Sequence, residues 1–276
     1  MARDLANVSR TLQNQEFGMY GNRGRPRRAP DASAVRSRAQ EIELRLEFME
    51  QTPLFRGVFR DQCVALATHA YDRRAVRRAA FYRQAEPATE AWVLRSGRVK
   101  MTQLSASGEE VILRLIGPGE LFGGLGLPSG GSYSASAEAH EESHALCWDR
   151  RTLEAIVKTC PPLQLNALRI TAERLRVMED RYRELATERA AQRLSRTLLR
   201  LAGQIGRPSD GGVLVTLSRE ELAQMMGTTF FTVSRLISDW EGRGILRARR
   251  EAVLIDDTRG LVALADDLSI EDPRRS

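Results

Sequence analysis

The side chains best suited to recognition in this chain lie between Leu217 and Gly244, in the stretch LSREELAQMMGTTFFTVSRLISDWEGRG. Phe230, Phe231, Ser234 and Arg235 fall at i, i+1, i+4 and i+5, one face of a helix. Thr228, Thr229 and Thr232 add hydroxyls where that helix would begin. These are binding groups rather than reacting ones. The chain offers no nucleophile–base pair, no metal-ligand set and no phosphate-cradling glycine loop in the right context, so an enzyme is not expected. The elements that must position them can be read locally. Ser218 with Glu221 three residues on is a capping box that starts one helix, with Leu222, Met225 and Met226 on its apolar side. Gly227 stops it, because glycine turns left-handed without a Cβ penalty. Thr229 caps a second helix over 230–241, in which Val233, Leu236, Ile237 and Trp240 form the inward stripe. Two helices joined by a short glycine turn match the helix-turn-helix plan, whose second helix enters the DNA major groove. They also match an ordinary helical hairpin, and these residues alone leave both open.

The 276 residues suggest two domains, and 42% hydrophobic residues suffice for a core in each. No run of about 18 apolar residues exists to span a membrane, and MARDLANVSR lacks the apolar core of a secretory signal. The expectation is a cytoplasmic protein with no membrane partner. Cys63, Cys147 and Cys160 are scattered without a CxxC, which argues against a zinc site or a disulfide framework. Three cysteines are also one short of the usual iron–sulfur ligand set. They read as small buried hydrophobes, with a redox thiol as the alternative. The net charge of +6 is unevenly spread: residues 1–46 hold nine arginines against five acids, whereas from Thr187 onward 14 arginines and 13 acids nearly cancel. A local run, Arg243, Arg247, Arg249 and Arg250, has no acid beside it until Glu251.

Along the chain, residues 1–46 read as a disordered arginine-rich extension, either a solvated tail or an auxiliary binding arm, with helical character appearing from Ala39. Short β-type runs follow between Arg73 and Asp149, broken at Ser96-Gly97 and Gly117-Pro118-Gly119, which predicts a small β-sandwich or roll over 47–160. A brief helix at 150–158 is broken by Pro161-Pro162. The longest helical pattern then carries Leu168, Thr171, Leu175, Met178, Tyr182 and Leu185 at alternating spacings of three and four. Its narrow stripe between charged flanks fits a two-chain seam, though packing within its own domain is the alternative. Residues 161–188 form this segment. Residues 189–276 hold the helix-turn-helix, with ILRAR and AVLI as a β-hairpin wing and a last helix over 258–265.

That order resembles the Crp/Fnr family of bacterial transcription regulators over about Pro53 to Ala265. The matching stretches are PLFRGV (53–58), SGRVK (96–100), GPGELFGGLGL (117–127), ERLR…RYRELATERAAQRLSRTLLRLA (173–202), LSREELAQMMG (217–227) and TVSRLISDWEGRGIL (232–246). The resemblance implies an α+β protein: an N-terminal β-roll sensor domain resembling cyclic-nucleotide-binding domains, a long dimerisation helix and a C-terminal winged helix-turn-helix. It implies a homodimer that binds double-stranded DNA and acts on RNA polymerase, with Leu168, Leu175, Met178, Tyr182 and Leu185 at the dimer interface. The rival from another class is a ligand-binding module acting on a protein partner.

The family's cyclic-AMP binders use a glutamate in the cassette of the roll and an arginine before Ser-Ala. Here Gly124, after Gly123 and before Leu125, stands at the first position, and Tyr133, before Ser134, at the second. Met178-Glu179 stands where the cyclic-AMP receptor protein presents paired hydroxyl residues. All three anchors differ, so an effector other than cyclic AMP is expected in the pocket of Gly123, Gly124, Leu125, Tyr133, Ser134, Met178 and Glu179. The cysteine cluster of the oxygen-sensing members is missing, and an iron–sulfur cofactor is disfavoured. Haem, with His69, His140 or His144 as ligand, is the alternative for a nitric-oxide or carbon-monoxide sensor. By position in the family, Phe230, Phe231, Ser234 and Arg235 face the bases. Arg235 matches the family's arginine and would bond guanine O6 and N7. Phe231 replaces the usual glutamate and could pack on a thymine methyl. Thr228, Thr229 and Thr232, with wing residues Arg249 and Arg250, would meet phosphates.

Overall fold

A computed structural model describes residues 32–124 and 131–266. The described residues open with helix α1 (Ala32–Glu50), a 3-10 turn at Pro53–Phe55 and helix α2 (Arg60–His69). Eight strands follow: β1 (Tyr71–Ala75), β2 (Ala80–Tyr82), β3 (Glu90–Ser96), β4 (Val99–Leu104), β5 (Glu110–Ile116), β6 (Leu121–Gly123), β7 (Ser136–Ala139) and β8 (Ser143–Asp149). They form two antiparallel four-stranded sheets, β1-β8-β3-β6 and β2-β7-β4-β5. This is the expected roll. Strands β1 and β2 are only five and three residues long, YDRRA and AFY, too short for alternation to announce them.

The boundary expected at residue 46 falls inside α1 and is corrected. Ala39, Ile42, Leu46 and Met49, spaced three and four apart, are buried in the cluster beneath the roll with Leu54, Leu66 and Trp148. Composition hides this stripe because the arginines sharing the segment dominate it. One of those arginines is structural: Arg45 donates to the Ala67 and Ala70 carbonyls at 3.0 and 2.8 Å, capping the end of α2, and pairs with Asp72 at 2.8 Å. Trp148 fixes the same helix from the sheet side by donating from Nε1 to the Leu66 carbonyl at 2.9 Å.

Helix α3 (Arg150–Lys158) leads into the long helix α4 (Pro161–Thr187). The two prolines start α4 rather than merely ending what precedes it, since their missing N–H groups fall where a helix has no partner for them. The inner face of α4 is tied to the roll. Asn166 donates to the Leu54 and Arg56 carbonyls at 2.9 and 2.7 Å, Arg174 to Leu121 and Arg181 to Leu113. The other face is bare, with Leu168, Leu175, Met178, Tyr182 and Leu185 between 53% and 75% exposed.

The C-terminal domain comprises α5 (Ala190–Ile205), β9 (Arg207–Ser209), β10 (Gly212–Val215), α6 (Arg219–Met226), α7 (Phe230–Gly242), β11 (Leu246–Arg249), β12 (Ala252–Ile255) and α8 (Thr258–Ala265). Its sheet runs β11-β12-β10-β9, so the stretch at 207–209 that reads as a turn pairs as an edge strand. Leu194, Leu198, Leu222, Val233, Ile237 and Trp240 make its core, joined by Leu115 from β5 of the roll. The two domains therefore share apolar packing as well as a chain.

Candidate nucleic-acid interface

The capping box forms in both directions. The Ser218 hydroxyl accepts from the Glu221 amide at 3.2 Å, and the Glu221 carboxylate accepts from the Ser218 amide at 3.0 Å. Gly227 closes α6 in the left-handed region, at φ 60° and ψ 48°. Thr229 caps α7 by accepting from the Thr232 amide at 3.2 Å, and the two threonine hydroxyls meet at 3.0 Å. With Val233, Ile237 and Trp240 buried, the opposite face of α7 has to point outward.

That face carries the expected residues together. Phe231 is 82% exposed and Phe230 42%, and their rings meet edge to face at 5.9 Å and 79°. Neither packs inward, although transfer of an aromatic ring out of water is worth several times the thermal energy. Arg235 is exposed one turn further along. Ser234 receives a hydrogen bond from Arg219 at 3.3 Å, which adds a second guanidinium from α6 to this surface. Arg219 is missing from the sequence reading, since it joins the face only through the crossing of the two helices. Thr228 is half-buried, its amide donating to the Ala223 carbonyl at 3.1 Å as α6 ends.

The wing is less cationic than its sequence. Arg247 forks onto Asp256 at 2.7 and 2.8 Å, Arg249 reaches Asp210 at 3.3 Å, and Arg243 lies 3.6 Å from Asp239. Asp210 and Asp256 reach the hairpin arginines from outside the run, whereas Asp239 lies one helical turn before Arg243. These pairs are exposed and worth little each, so a phosphate could displace them. Arg250 is exposed at the wing turn, and its neighbour Glu251 pairs with Arg77 of the roll at 3.0 Å.

In the roll, the pocket expected around the cassette is divided. Gly123 and Gly124 lie against β3: a Cβ on Gly123 (φ +96°) would stand 2.4 Å from the Trp92 ring, and one on Gly124 3.0 Å from the Glu90 carbonyl. Tyr133 is buried, stacked on Tyr82 at 3.9 Å, and its hydroxyl donates to the Glu90 carbonyl at 3.0 Å. Phe81, Trp92 and Phe122 complete this aromatic core. Ser134 is exposed beside it, with its carbonyl accepting from Gln103 at 2.8 Å. Leu125 lies outside the described residues. Met178 and Glu179 are on the exposed face of α4, away from the aromatic core within one chain.

A β-roll joined by a long helix to a winged helix-turn-helix with an open second helix is the build of a DNA-binding transcription regulator. The comparisons agree. Residues 73–160 match the cyclic nucleotide-binding domain, and residues 192–264 the Crp-like helix-turn-helix domain. The chain is 32% identical over 217 residues to the cyclic AMP receptor protein of Thermus thermophilus, covering 76% of this chain and 97% of that one. It is 29% identical over 221 residues to the CRP-like cAMP-activated global transcriptional regulator of Mycobacterium tuberculosis, covering 79% and 99%. Among solved structures, FixK2 from Bradyrhizobium japonicum is 26% identical, with a TM-score of 0.61 over 71% of this chain and 96% of that chain. The chain belongs to the Crp/Fnr family of transcription regulators. No helix among the described residues is long and apolar enough to cross a membrane.

Glu221, the capping carboxylate of α6, also faces the roll. Burial alone would raise its pKa. Hydrogen bonds from His140 and the Ser218 amide, with the charges of His140 and Lys100, outweigh that and hold it down at about 2. A carboxyl lowered from an ordinary 4.5 contributes stability that is complete above that value and lost as pH falls toward 2. Urea unfolding at about pH 6 and about pH 3 should therefore separate wild type from Glu221→Gln by on the order of 2 kcal/mol at the higher pH and by much less at the lower. The same difference at both pH values would contradict this role.

Proposed function

We propose that the chain is a homodimeric, sequence-specific regulator that reads a near-palindromic operator through Arg235 and acts on RNA polymerase. The observation that carries this reading is the outward face of α7, where Arg235 and two aromatic rings stand exposed beside a half-buried Ser234 among the described residues. A guanidinium fork matches guanine O6 and N7, and such a pair discriminates by about 1–3 kcal/mol. Phe231 has no acceptor to offer cytosine, so the neighbouring preference shifts to a base with an apolar major-groove edge, the thymine methyl. Thr228, Thr229, Thr232, Arg249 and Arg250 supply phosphate contacts that fix register. The bare stripe of α4 supports the dimer: five large side chains left in water on one helix, each worth about 1.5–3 kcal/mol when fully buried, favour a second copy of the same helix.

The effector is a molecule other than cyclic AMP, although relatives carry that nucleotide in their names. Support comes from Tyr133, which stands at the sequence position of the family's phosphate-binding arginine and is stacked into the core, and from Gly124, whose backbone lies too close to β3 for a side chain without a shift. Any effector entering there has to displace Tyr133. Haem fits this roll poorly. His69 bonds the Ala65 carbonyl within α2, His140 lies at the interdomain seam, and His144 pairs with Glu142, so no imidazole lines the aromatic interior.

Two measurements test this reading. In gel shifts on an operator obtained by selection from random DNA, Arg235→Ala should lose specific binding by roughly 10- to 100-fold while keeping salt-sensitive non-specific binding. Unchanged operator affinity would refute the assignment. Calorimetry of the purified protein with cyclic AMP should give no heat of binding, and a micromolar dissociation constant would overturn that part of the account.

A further inference from the structure

We propose that His140 is a proton-operated latch between the sensor roll and the DNA-binding domain. His140 sits in the turn between β7 and β8, held in place by its own amide donating to the Arg98 carbonyl at 2.9 Å. Its ring crosses to the other domain at both nitrogens. Nε2 lies 3.0 Å from the Thr216 carbonyl, and Nδ1 lies 3.3 Å from the Glu221 carboxylate. Both partners are oxygens that only accept. A neutral imidazole carries one N–H, so one of the two contacts would set a nitrogen lone pair against an oxygen lone pair. Only the imidazolium, with a proton on each nitrogen, satisfies both at once. The two contacts made together therefore call for the doubly protonated ring.

The surroundings leave this ring as the group that responds there. On the roll side, Lys100 of β4 stands 3.6 Å from both Glu138 of β7 and Glu221. Arg98 and Arg207 of β9 share Glu141, at 3.7 and 3.4 Å. Arg77 holds Glu251 of the wing turn, and Gln224 of α6 reaches Glu110 of β5 at 3.4 Å. Arg78 and Glu220 border the same cleft. Among these groups His140 is the one imidazole, the side-chain type whose charge ordinarily changes near neutrality. Two clefts of about 190 and 270 Å³, both lined by His140, run along the seam and let water and protons in. The docking point is also mechanically central. Glu221 caps the first helix of the helix-turn-helix, so what grips this carboxylate grips the element that carries α7. Loss of the proton removes one of the two ring contacts and loosens the hold of the roll on the start of α6.

The latch rests on the contact between the two domains and not on which bases are read, so its failure would leave the DNA-binding account standing. The test is a fluorescence energy transfer pair on the full chain, at Val76→Cys beside the β1–β2 turn and Val262→Cys on α8. Both sites are exposed, whereas the three native cysteines are buried. Transfer efficiency should fall as pH is raised from about 5.5 to about 8, the range in which imidazole loses its proton. The same pair in His140→Gln should show a response at least severalfold smaller, while His144→Gln, which alters an exposed histidine away from the seam, keeps the wild-type response. A flat wild-type curve, or an undiminished response in His140→Gln, would overturn the proposal. Circular dichroism and retained operator binding establish that the variants are folded.

Discussion

The constraint on which the rest of this molecule depends is that α6 and α7 can be aimed only if the start of α6 is fixed. One carboxylate does this. Glu221 closes the capping box on Ser218, and from that point α6 runs to a left-handed Gly227 and hands over to the Thr229 cap of α7. The other oxygen of the same carboxylate, Oε1, faces His140 and Lys100 of the roll. A local helix signal and an interdomain contact thus converge on one side chain. The position of the recognition helix relative to the sensor is set there, with support from Leu115 of β5 packed in the DNA-binding core.

A regulator needs its sensor and reader to share free energy, and here the coupling has two routes. One is α4, whose inner face is tied to the roll by Asn166, Arg174 and Arg181 while its outer stripe stays exposed. The other is the seam around Glu221. An effector that moved Tyr133 would disturb the aromatic stack beside β3 and β6, and Arg174 bonds the Leu121 carbonyl of β6. A ligand acts on the reader only to the extent that it favours one arrangement of these contacts over another.

Much of this was legible in the sequence because it is local. The capping box, the glycine stop, the threonine cap and the α7 stripe are all relations of three or four residues, and each forms as read. What was misread depends on partners far along the chain. The α1 stripe of Ala39, Ile42, Leu46 and Met49 was obscured by arginines in a segment judged on composition, and its meaning appears only once the roll is beside it. The wing arginines look unbalanced in sequence because Asp210, Asp239 and Asp256 are brought to them by the hairpin and helix geometry. His140 gives no local signal at all, since its partners lie 76 residues away and beyond. The residues proposed for the effector pocket were gathered by analogy, and within one chain the structure sets Met178 and Glu179 apart from Tyr133 and the cassette glycines.

The central claim is that two copies of α7, paired through the stripe on α4, read one operator together. Hydroxyl-radical footprinting on a selected operator tests it most directly. The account predicts two protected patches on the same face of the duplex, centred roughly one helical turn (about 34 Å) apart and symmetric about the midpoint. A single protected patch, or two patches without symmetry, would contradict it.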